Sequence, residues 1–300
     1  MEGSRALDAA VEAARRAGDL LLGYFGSLEP SEVEEKGRND VVSRADRESE
    51  ALVKELLLGA FPGDLFVGEE GGTDGLDADA PAWIVDPLDG TANFVRGFPH
   101  WAVSIGRTAG GRSGELVLGV VWDPVKNDLF VAEKGSGAFR NGRRVRVTRR
   151  DGLEGAALAT GFPFRIQSRI DGYLRLFKAV FLEVQSIRRA GSAALDLAYV
   201  SCGIFDGFFE LGLSPWDSAA GAVLVAEAGG VVTDFGGGEA WREHGNVLAA
   251  GPGVHAGLDG DVGGGPERRP EHQRAAGVGR QQRHGPVARR LEERTPAVEP

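Results

Sequence analysis

Hydrophobic residues recur at helical intervals along two stretches near the start of the chain. The first covers residues 7–25, and the second runs from a cap at Ser43 or Asp46 to Phe61. Each stretch predicts an amphipathic helix. Residues 29–40, which lie between them, are polar and charged, and we interpret them as an exposed, mobile loop.

Shorter hydrophobic runs follow, and turn signals separate them. From residue 101 to 147 they alternate with Gly-Gly, Asp-Pro and Asn-Gly pairs, which is typical of an antiparallel meander. Beyond residue 150 strands and helices alternate, so we expect an α/β fold whose N-terminal part is α+β. The predicted strands are 65–67, 83–85, 101–107, 115–122, 128–133, 144–147, 156–160, 185–188, 205–211, 231–234 and 247–250; the later helices are 170–182, 193–202 and 217–228, and 71–80 is a loop.

This pattern suggests an N-terminal part, 1–150, a C-terminal part, 151–254, and a tail. The tail, 255–300, holds two leucines and no isoleucine or aromatic residue. It offers too little apolar surface to order itself, so we expect it to be disordered or foreign to the fold. A shifted reading frame in a GC-rich gene is one hypothesis for its Gly, Pro and Arg content.

The bulk composition narrows the function classes. The chain has 300 residues, 42% of them hydrophobic, and a net charge of -10, so we expect neither nucleic acid nor membrane as a partner. With Cys202 as its single cysteine it forms no internal disulfide or cysteine metal cluster, which suits the cytoplasm. No hydrophobic run reaches the length of a membrane span.

The most informative segment, residues 83–94, reads WIVDPLDGTANF. It places Asp86 and Asp89 directly after a hydrophobic strand. Close carboxylates repel one another unless they share a cation or a proton. Oxygen ligands at this density suit Mg²⁺ or Ca²⁺ rather than zinc. An Asp-Pro turn followed by an aspartate cap is the alternative.

Two further acidic segments, which contain Glu69 and Asp217, favour the metal site over that alternative. Like Asp86 and Asp89, these two residues lie at strand ends or strand-to-helix junctions. Ligands bind at such positions in open α/β sheets. Two Mg²⁺ ions would share these carboxylates and the Leu88 carbonyl, while Gly90 and Thr91 would open a short helix beside them. Metals next to a helix N-terminus suit a phosphate ester that water attacks.

Three separated motifs carry a family resemblance: GEE at 68–70, the segment 83–94, and WDSAAG at 216–221 continuing to EAGG at 227–230. Over roughly residues 6–251 the chain resembles the inositol monophosphatase family of Mg²⁺-dependent, lithium-sensitive phosphatases. The resemblance implies a sugar-phosphatase fold, an α/β sandwich with alternating layers of helices and sheets. It also implies a homodimer that binds two or three Mg²⁺ ions.

The resemblance also implies roles for single residues. The metal ligands would be Glu69, Asp86, the Leu88 carbonyl, Asp89 and Asp217. The catalytic group would be Glu69 with Thr91 and Asp46, the last two polarising a water. Gly90 and Thr91 would hold the phosphate, and Gly191, Ser192, Ala193, Glu210 and Asp217 would meet the rest of the substrate. Lys36 would lie near a third, weaker metal.

Several of these residues have simpler interpretations. Asp46 could be a helix cap, and Lys36 a solvated lysine. We expect His100 to be a packed loop histidine, and Trp83 and Trp216 to anchor the neighbouring aspartates in the core. The six arginines between Gly137 and Arg150 fit a solvated basic face.

The motifs leave more than one function open. The leading prediction is a phosphomonoesterase acting on inositol 1-phosphate or a similar polyol phosphate. Its rivals are fructose-1,6-bisphosphatase, histidinol-phosphatase and 3′-phosphoadenosine 5′-phosphate phosphatase. Ala92-Asn93 stands where the adenosine-bisphosphate enzymes tend to have Lys-Glu. A non-catalytic regulatory protein on the same fold is the alternative from another class.

Overall fold

The computed structural model describes residues 4–28, 31, 33–37, 40–75, 77–164 and 166–262. Within them the helices are α1 (Arg5–Tyr24), α2 (Arg44–Ala60), α3 (Thr91–Val95), α4 (Ile170–Phe181), α5 (Ala193–Ser201), α6 (Pro215–Glu227), α7 (Trp241–His244) and α8 (Pro252–Val262). No helix in these ranges is long and apolar enough to cross a membrane.

The strands form three sheets in the described part of the chain. β1 (Val33–Gly37) and β2 (Asp40–Ser43) make a hairpin. The second sheet has the order β10-β9-β8-β7-β6-β5-β3-β4, and the third the order β12-β11-β13-β15-β14. Their strands are β3 (Leu65–Gly68), β4 (Gly72–Asp74), β5 (Ala82–Asp89), β6 (Ala102–Thr108), β7 (Leu116–Asp123), β8 (Asp128–Glu133), β9 (Gly137–Arg140), β10 (Arg143–Arg144), β11 (Ala157–Thr160), β12 (Ser186–Arg188), β13 (Gly207–Glu210), β14 (Val231–Thr233) and β15 (Val247–Ala250).

Helices and sheets alternate as layers, which confirms the predicted fold class. Hydrophobic residues of α1 and α2 form one core with the eight-stranded sheet. Those of α5 and α6 fill the space between the two large sheets. α4 and α8 cover the outer face of the five-stranded sheet. The division into parts at residue 150 stays a prediction, although the two large sheets draw their strands from either side of it.

The meander and most predicted elements are found within a few residues of their expected limits. The segment 29–40 is an exception, because β1 lies inside it and pairs with β2 antiparallel. The loop prediction was therefore wrong for residues 33–37 and for Asp40. The sequence VEEKG of β1 has no alternation of hydrophobic and polar residues, so a sequence pattern could not reveal this strand. Three further short strands, β2, β4 and β9, were also missed.

The predicted start of the tail was wrong as well. Residues 255–262 belong to α8, where Val254 and Leu258 are fully buried. The His255 Nε2 atom lies 2.8 Å from the Thr233 hydroxyl. Only a few positions of this glycine-rich helix face the core, so average composition hid it. The rest of the predicted tail, 263–300, lies outside the described residues.

Candidate active site

A cavity of about 180 Å³ opens where β5 ends and where α3, α5 and α6 begin. Its lining includes every predicted site residue except Asp46 and Lys36. These lining residues are Glu69, Asp86, Leu88, Asp89, Gly90, Thr91, Gly191, Ser192, Ala193, Glu210 and Asp217. The Lys36 side chain lies outside what the structure describes.

Three carboxylates form the centre of the site. Asp86 and Asp89 end β5, and Asp217 lies in the first turn of α6. One carboxylate oxygen from each lies within 4.8 Å of the others, and all three side chains are buried. Glu69 lines the same cavity from the turn after β3, but it does not belong to this close group.

Backbone N–H groups hold the two aspartates of β5. Leu88 N–H donates to Asp86 Oδ1 at 3.0 Å, which closes a turn around Pro87. Ala194 N–H donates to Asp89 Oδ2 at 2.9 Å, and the Ser192 hydroxyl donates to the same oxygen. Because Ala194 lies in the first turn of α5, that helix presents its positive end to the carboxylate.

Asp217 and Asp46 occupy equivalent positions in two helices. Each is the third residue of its helix and closes a capping box with the serine that precedes the helix. Ser214 N–H donates to Asp217 Oδ2 at 2.6 Å. Asp46 Oδ2 accepts from Ser43, and its Oδ1 accepts from the Thr91 hydroxyl at 2.9 Å. The capping interpretation and the predicted Thr91 pairing are therefore both found for Asp46.

Burial and mutual repulsion disfavour the charged forms of these acids. Burial raises the pKa of Asp86 well above its ordinary value, and the charges of Glu69, Asp89 and Asp217 raise it further. Burial also raises the pKa of Asp89 to about 6, although the Ser192 hydrogen bond opposes the shift. A cation among the carboxylates would remove this penalty.

The donor set fits a hard cation. The close group offers only carboxylate oxygens, and Leu88 adds a backbone carbonyl to the cavity lining. The described lining contains no histidine or cysteine. Mg²⁺ prefers such oxygen ligands, whereas zinc in proteins usually takes nitrogen or sulfur.

Glycines let two helix starts approach each other closely. Gly90 and Gly191 have left-handed φ angles of 95° and 92°. A Cβ on Gly90 would lie 3.1 Å from the His100 carbonyl oxygen and 3.3 Å from that of Gly191. Asn93 Nδ2 spans the same gap, since it donates to the carbonyls of His100 and Ala190 at 2.8 and 3.0 Å. This contact holds α3 against the start of α5.

Another part of the cavity lining combines the predicted Glu210 with residues that the sequence did not single out. Glu210 ends β13, and a Cβ on Gly161 would lie 2.0 Å from its carboxylate, so a larger residue there would displace the Glu210 side chain. The Arg189 guanidinium carbon lies 5.1 Å from the Phe164 ring centre and 5.9 Å from that of Phe162. The Gly-Phe-Pro-Phe stretch after β11 was the available signal for this wall.

Asp196 is a further missed residue. It lines the cavity from α5, is almost fully buried, and has an Oδ1 atom without a hydrogen-bond partner. Burial raises its pKa well above the ordinary value, and the charges of Glu210 and Asp89 add to the shift. Its position inside a hydrophobic helical run carried no signal of chemistry.

Of the predicted packing residues, His100 and Trp83 are buried as expected, whereas Trp216 is not fully in the core. His100 is buried, and burial lowers its pKa to about 4, so the ring is neutral at pH 7. Trp83 is fully buried in β5, three residues before Asp86. Trp216 is partly buried beside Asp217 in α6.

Asp89→Asn should stabilise the metal-free protein most at higher pH. The pKa of about 6 in the folded state exceeds the ordinary 3.8, so the stability that protonation contributes is lost as pH rises through about 6. We expect the melting temperature of the variant in EDTA to exceed that of the wild type at about pH 7.5, and by less at about pH 5. Asp19→Asn, a surface change on α1, is the control. An unfolded Asp89→Asn protein would instead make Asp89 a required cap for α5.

Comparison with known proteins agrees with this geometry. Residues 3–261 match the inositol monophosphatase family. The Escherichia coli protein named Nus factor SuhB is 45% identical over 249 residues, which cover 83% of this chain and 92% of the relative.

Solved structures agree with the match. The extragenic suppressor protein suhB from Bartonella henselae has a TM-score of 0.81 at 42% identity, covering 87% of this chain and 100% of that one. An inositol monophosphatase from Anabaena has a TM-score of 0.76 at 37% identity, covering 85% and 94%. The chain therefore belongs to the inositol monophosphatase family.

Proposed function

We propose that the protein is a Mg²⁺-dependent phosphomonoesterase that hydrolyses inositol 1-phosphate or a similar polyol or sugar phosphate. The observation that carries the proposal is the buried group Asp86, Asp89 and Asp217 beside the Thr91–Asp46 hydrogen bond. A protein that only bound phosphate would have no need of a group that can activate water.

The proposed metal ligands are the three aspartates, Glu69 and the Leu88 carbonyl, which together would hold two or three Mg²⁺ ions. When bound, the ions supply a nucleophilic water and stabilise charge on the phosphoryl group. Glu69 extends the ligand set from the turn after β3. The Leu88 carbonyl oxygen lies 3.1 Å from Thr91 Oγ1, so the proposed ligand segment is close to the residue that would orient the water.

Thr91 and Asp46 would orient the attacking water. The Thr91 Oγ1–H donates to Asp46 Oδ1, which leaves lone pairs on Oγ1 free to accept from a water. Asp46 is buried, and burial raises its pKa above the ordinary value. Its carboxylate is thus suited to take the proton that Thr91 passes on.

The two ends of the cavity would bind different parts of the ester. The N–H groups of Gly90 and Thr91, at the start of α3, would face the phosphate. Glu210 would accept hydrogen bonds from hydroxyls of the alcohol, and residues 191–193 would lie against its ring. The Gly161 position supports this role, because it leaves the Glu210 carboxylate room at the cavity wall.

A regulatory role is the second candidate function. The Escherichia coli and Bartonella henselae relatives are named Nus factor and extragenic suppressor protein, and neither name is that of an enzyme. The Anabaena structure carries an enzyme name. The intact acidic group favours catalysis in this chain. We also propose that the protein is cytoplasmic.

We also propose a homodimer. Large hydrophobic side chains are exposed along and after α4: Ile170, Leu174, Phe181 and Leu182. Exposed apolar patches of this kind are typical of protein interfaces. Phe181 and Leu182 are 60% and 69% exposed. A second copy of the chain covering α4 would remove them from water.

Activity should depend on Mg²⁺. We expect phosphate release from inositol 1-phosphate to stop in EDTA, to return with Mg²⁺, and to fall in lithium at about millimolar concentration, because the acidic group specifies small hard cations. The measurement is phosphate release from a panel of inositol, sugar, histidinol and nucleotide phosphates, with and without Mg²⁺. Asp89→Asn should be inactive on all of them. A folded protein that hydrolyses none would favour the regulatory role, and full turnover without metal would contradict the mechanism.

Glu210→Gln should change substrate preference more than turnover. A carboxylate accepts from two hydroxyls better than an amide does, so the loss of kcat/KM on inositol phosphate should correspond to about 1–3 kcal/mol. A small ester without those hydroxyls, such as p-nitrophenyl phosphate, is the internal control and should react nearly as before. Equal losses on both esters would place Glu210 at the metal centre instead.

The double variant Phe181→Glu with Leu182→Glu should be monomeric. Two buried charges facing their copies across an interface cost far more than the hydrophobic contact they replace. Light scattering of the wild type and the variant gives both masses directly. A monomeric wild type at micromolar concentration would disprove the dimer.

A further inference from the structure

One face of α2 carries three buried polar side chains, and each contacts a different segment of the site. Asp46, Ser49 and Glu50 lie at helical spacing and are 1%, 0% and 6% exposed. Asp46 accepts from Thr91, as described above. The mechanism makes no use of Ser49 and Glu50. Burial of a carboxylate raises the free energy unless hydrogen bonds replace its lost hydration. The hydrogen-bond partners of Glu50 therefore indicate its role.

Glu50 binds the backbone on the carboxyl side of Glu69. Glu70 N–H donates to Glu50 Oε2 at 2.8 Å, and Gly71 N–H donates to Oε1 at 2.6 Å. Both oxygens are acceptors, which is the pattern of an ionised carboxylate. Two charge-assisted bonds to consecutive N–H groups fix the orientation of the peptide units that follow Glu69.

The sequence makes room for this contact on both sides of Glu69. A Cβ on Gly68 would lie 2.3 Å from Glu50 Oε2, and a Cβ on Gly71 would lie 2.7 Å from Oε1. Neither glycine has a positive φ angle. A Cβ at either position would displace the Glu50 carboxylate, and neither position needs an unusual backbone conformation.

Ser49 holds the backbone of the proposed ligand segment of β5 in a similar way. Its hydroxyl donates to the Pro87 carbonyl at 3.0 Å. That carbonyl shares a peptide unit with the Leu88 N–H, which donates to Asp86 Oδ1. One peptide unit is thus held at both ends, by α2 on one side and by a metal-binding aspartate on the other.

We propose that Glu50 is a positioning residue for metal binding. It holds the turn after β3 so that Glu69 meets the cavity that contains Asp86, Asp89 and Asp217. Ser49, which lies on the same helix, holds the ligand segment of β5. Glu69 is the proposed ligand outside the close aspartate group, so its approach depends on how this turn is fixed. The inference rests on the proposed metal role of these residues.

Glu50→Gln tests the proposal with little change of volume. An amide can accept only one of the two N–H bonds and turns its own NH₂ toward the other. We expect the Mg²⁺ concentration for half-maximal activity to rise about 10–100-fold, while kcat at saturating Mg²⁺ stays within a few-fold of the wild type. Glu55→Gln, an exposed change one turn further along α2, is the matched control and should leave both values unchanged.

Metal affinity can also be measured without turnover. Electron paramagnetic resonance of free Mn²⁺ should show the same loss of affinity in Glu50→Gln. Gly71→Ala, which presses a methyl group against Oε1, should reproduce that loss through a different residue. If both changes act on one contact, the double variant should lose little more than either single variant.

The outcomes separate this inference from the proposed function. A lower melting temperature with unchanged Mn²⁺ affinity would make Glu50 a purely structural residue and overturn the proposal. Additive losses in the double variant would also overturn it. A wild type that binds Mn²⁺ but hydrolyses no ester would disprove the phosphatase function, while the affinity comparison would still test the role of Glu50.

Discussion

The structure of the site depends on the repulsion between buried carboxylates. Asp86, Asp89 and Asp217 bring oxygens within 4.8 Å of one another, out of contact with most water. Backbone N–H groups hold them, from the turn after Pro87 and from the starts of α5 and α6. Such donors reduce the penalty of burial without neutralising the charge, so a cation could still bind among the carboxylates.

The layered fold satisfies this requirement. Helices α5 and α6 pack between the two large sheets, and their first turns reach the end of β5. Helix α2 covers the opposite face of the eight-stranded sheet and contacts the site from that side. Glycine leaves room for the His100 carbonyl at Gly90, for the Glu210 carboxylate at Gly161 and for the Arg189 and Asn93 side chains at Gly191. The site is therefore built mainly from backbone positions, and the acidic side chains depend on the accuracy of the fold around them.

Relatives with two kinds of name share this fold and a large part of this sequence. Some are named as inositol monophosphatases and others as a Nus factor or an extragenic suppressor. The two kinds of name indicate different functions for one fold, and one fold can serve several functions. In this chain the acidic group, Thr91 and Glu210 line one cavity, and Thr91 bonds to Asp46 behind it. This arrangement is the basis of the proposed phosphatase function.

The sequence by itself determined the main helices and strands, the acidic ligand segments and the family, because strand periodicity and dense aspartates leave local signals. It could not reveal that Arg189, Phe162 and Asp196 line the same cavity as Asp89, since these residues meet only through the packing of the two large sheets. The start of the tail was misplaced for the same reason: α8 is ordered by burying Val254 and Leu258 against the five-stranded sheet, and a local count of hydrophobic residues contains no information about that surface. The Glu50 contact likewise joins residues about twenty positions apart, so only the tertiary structure decides it.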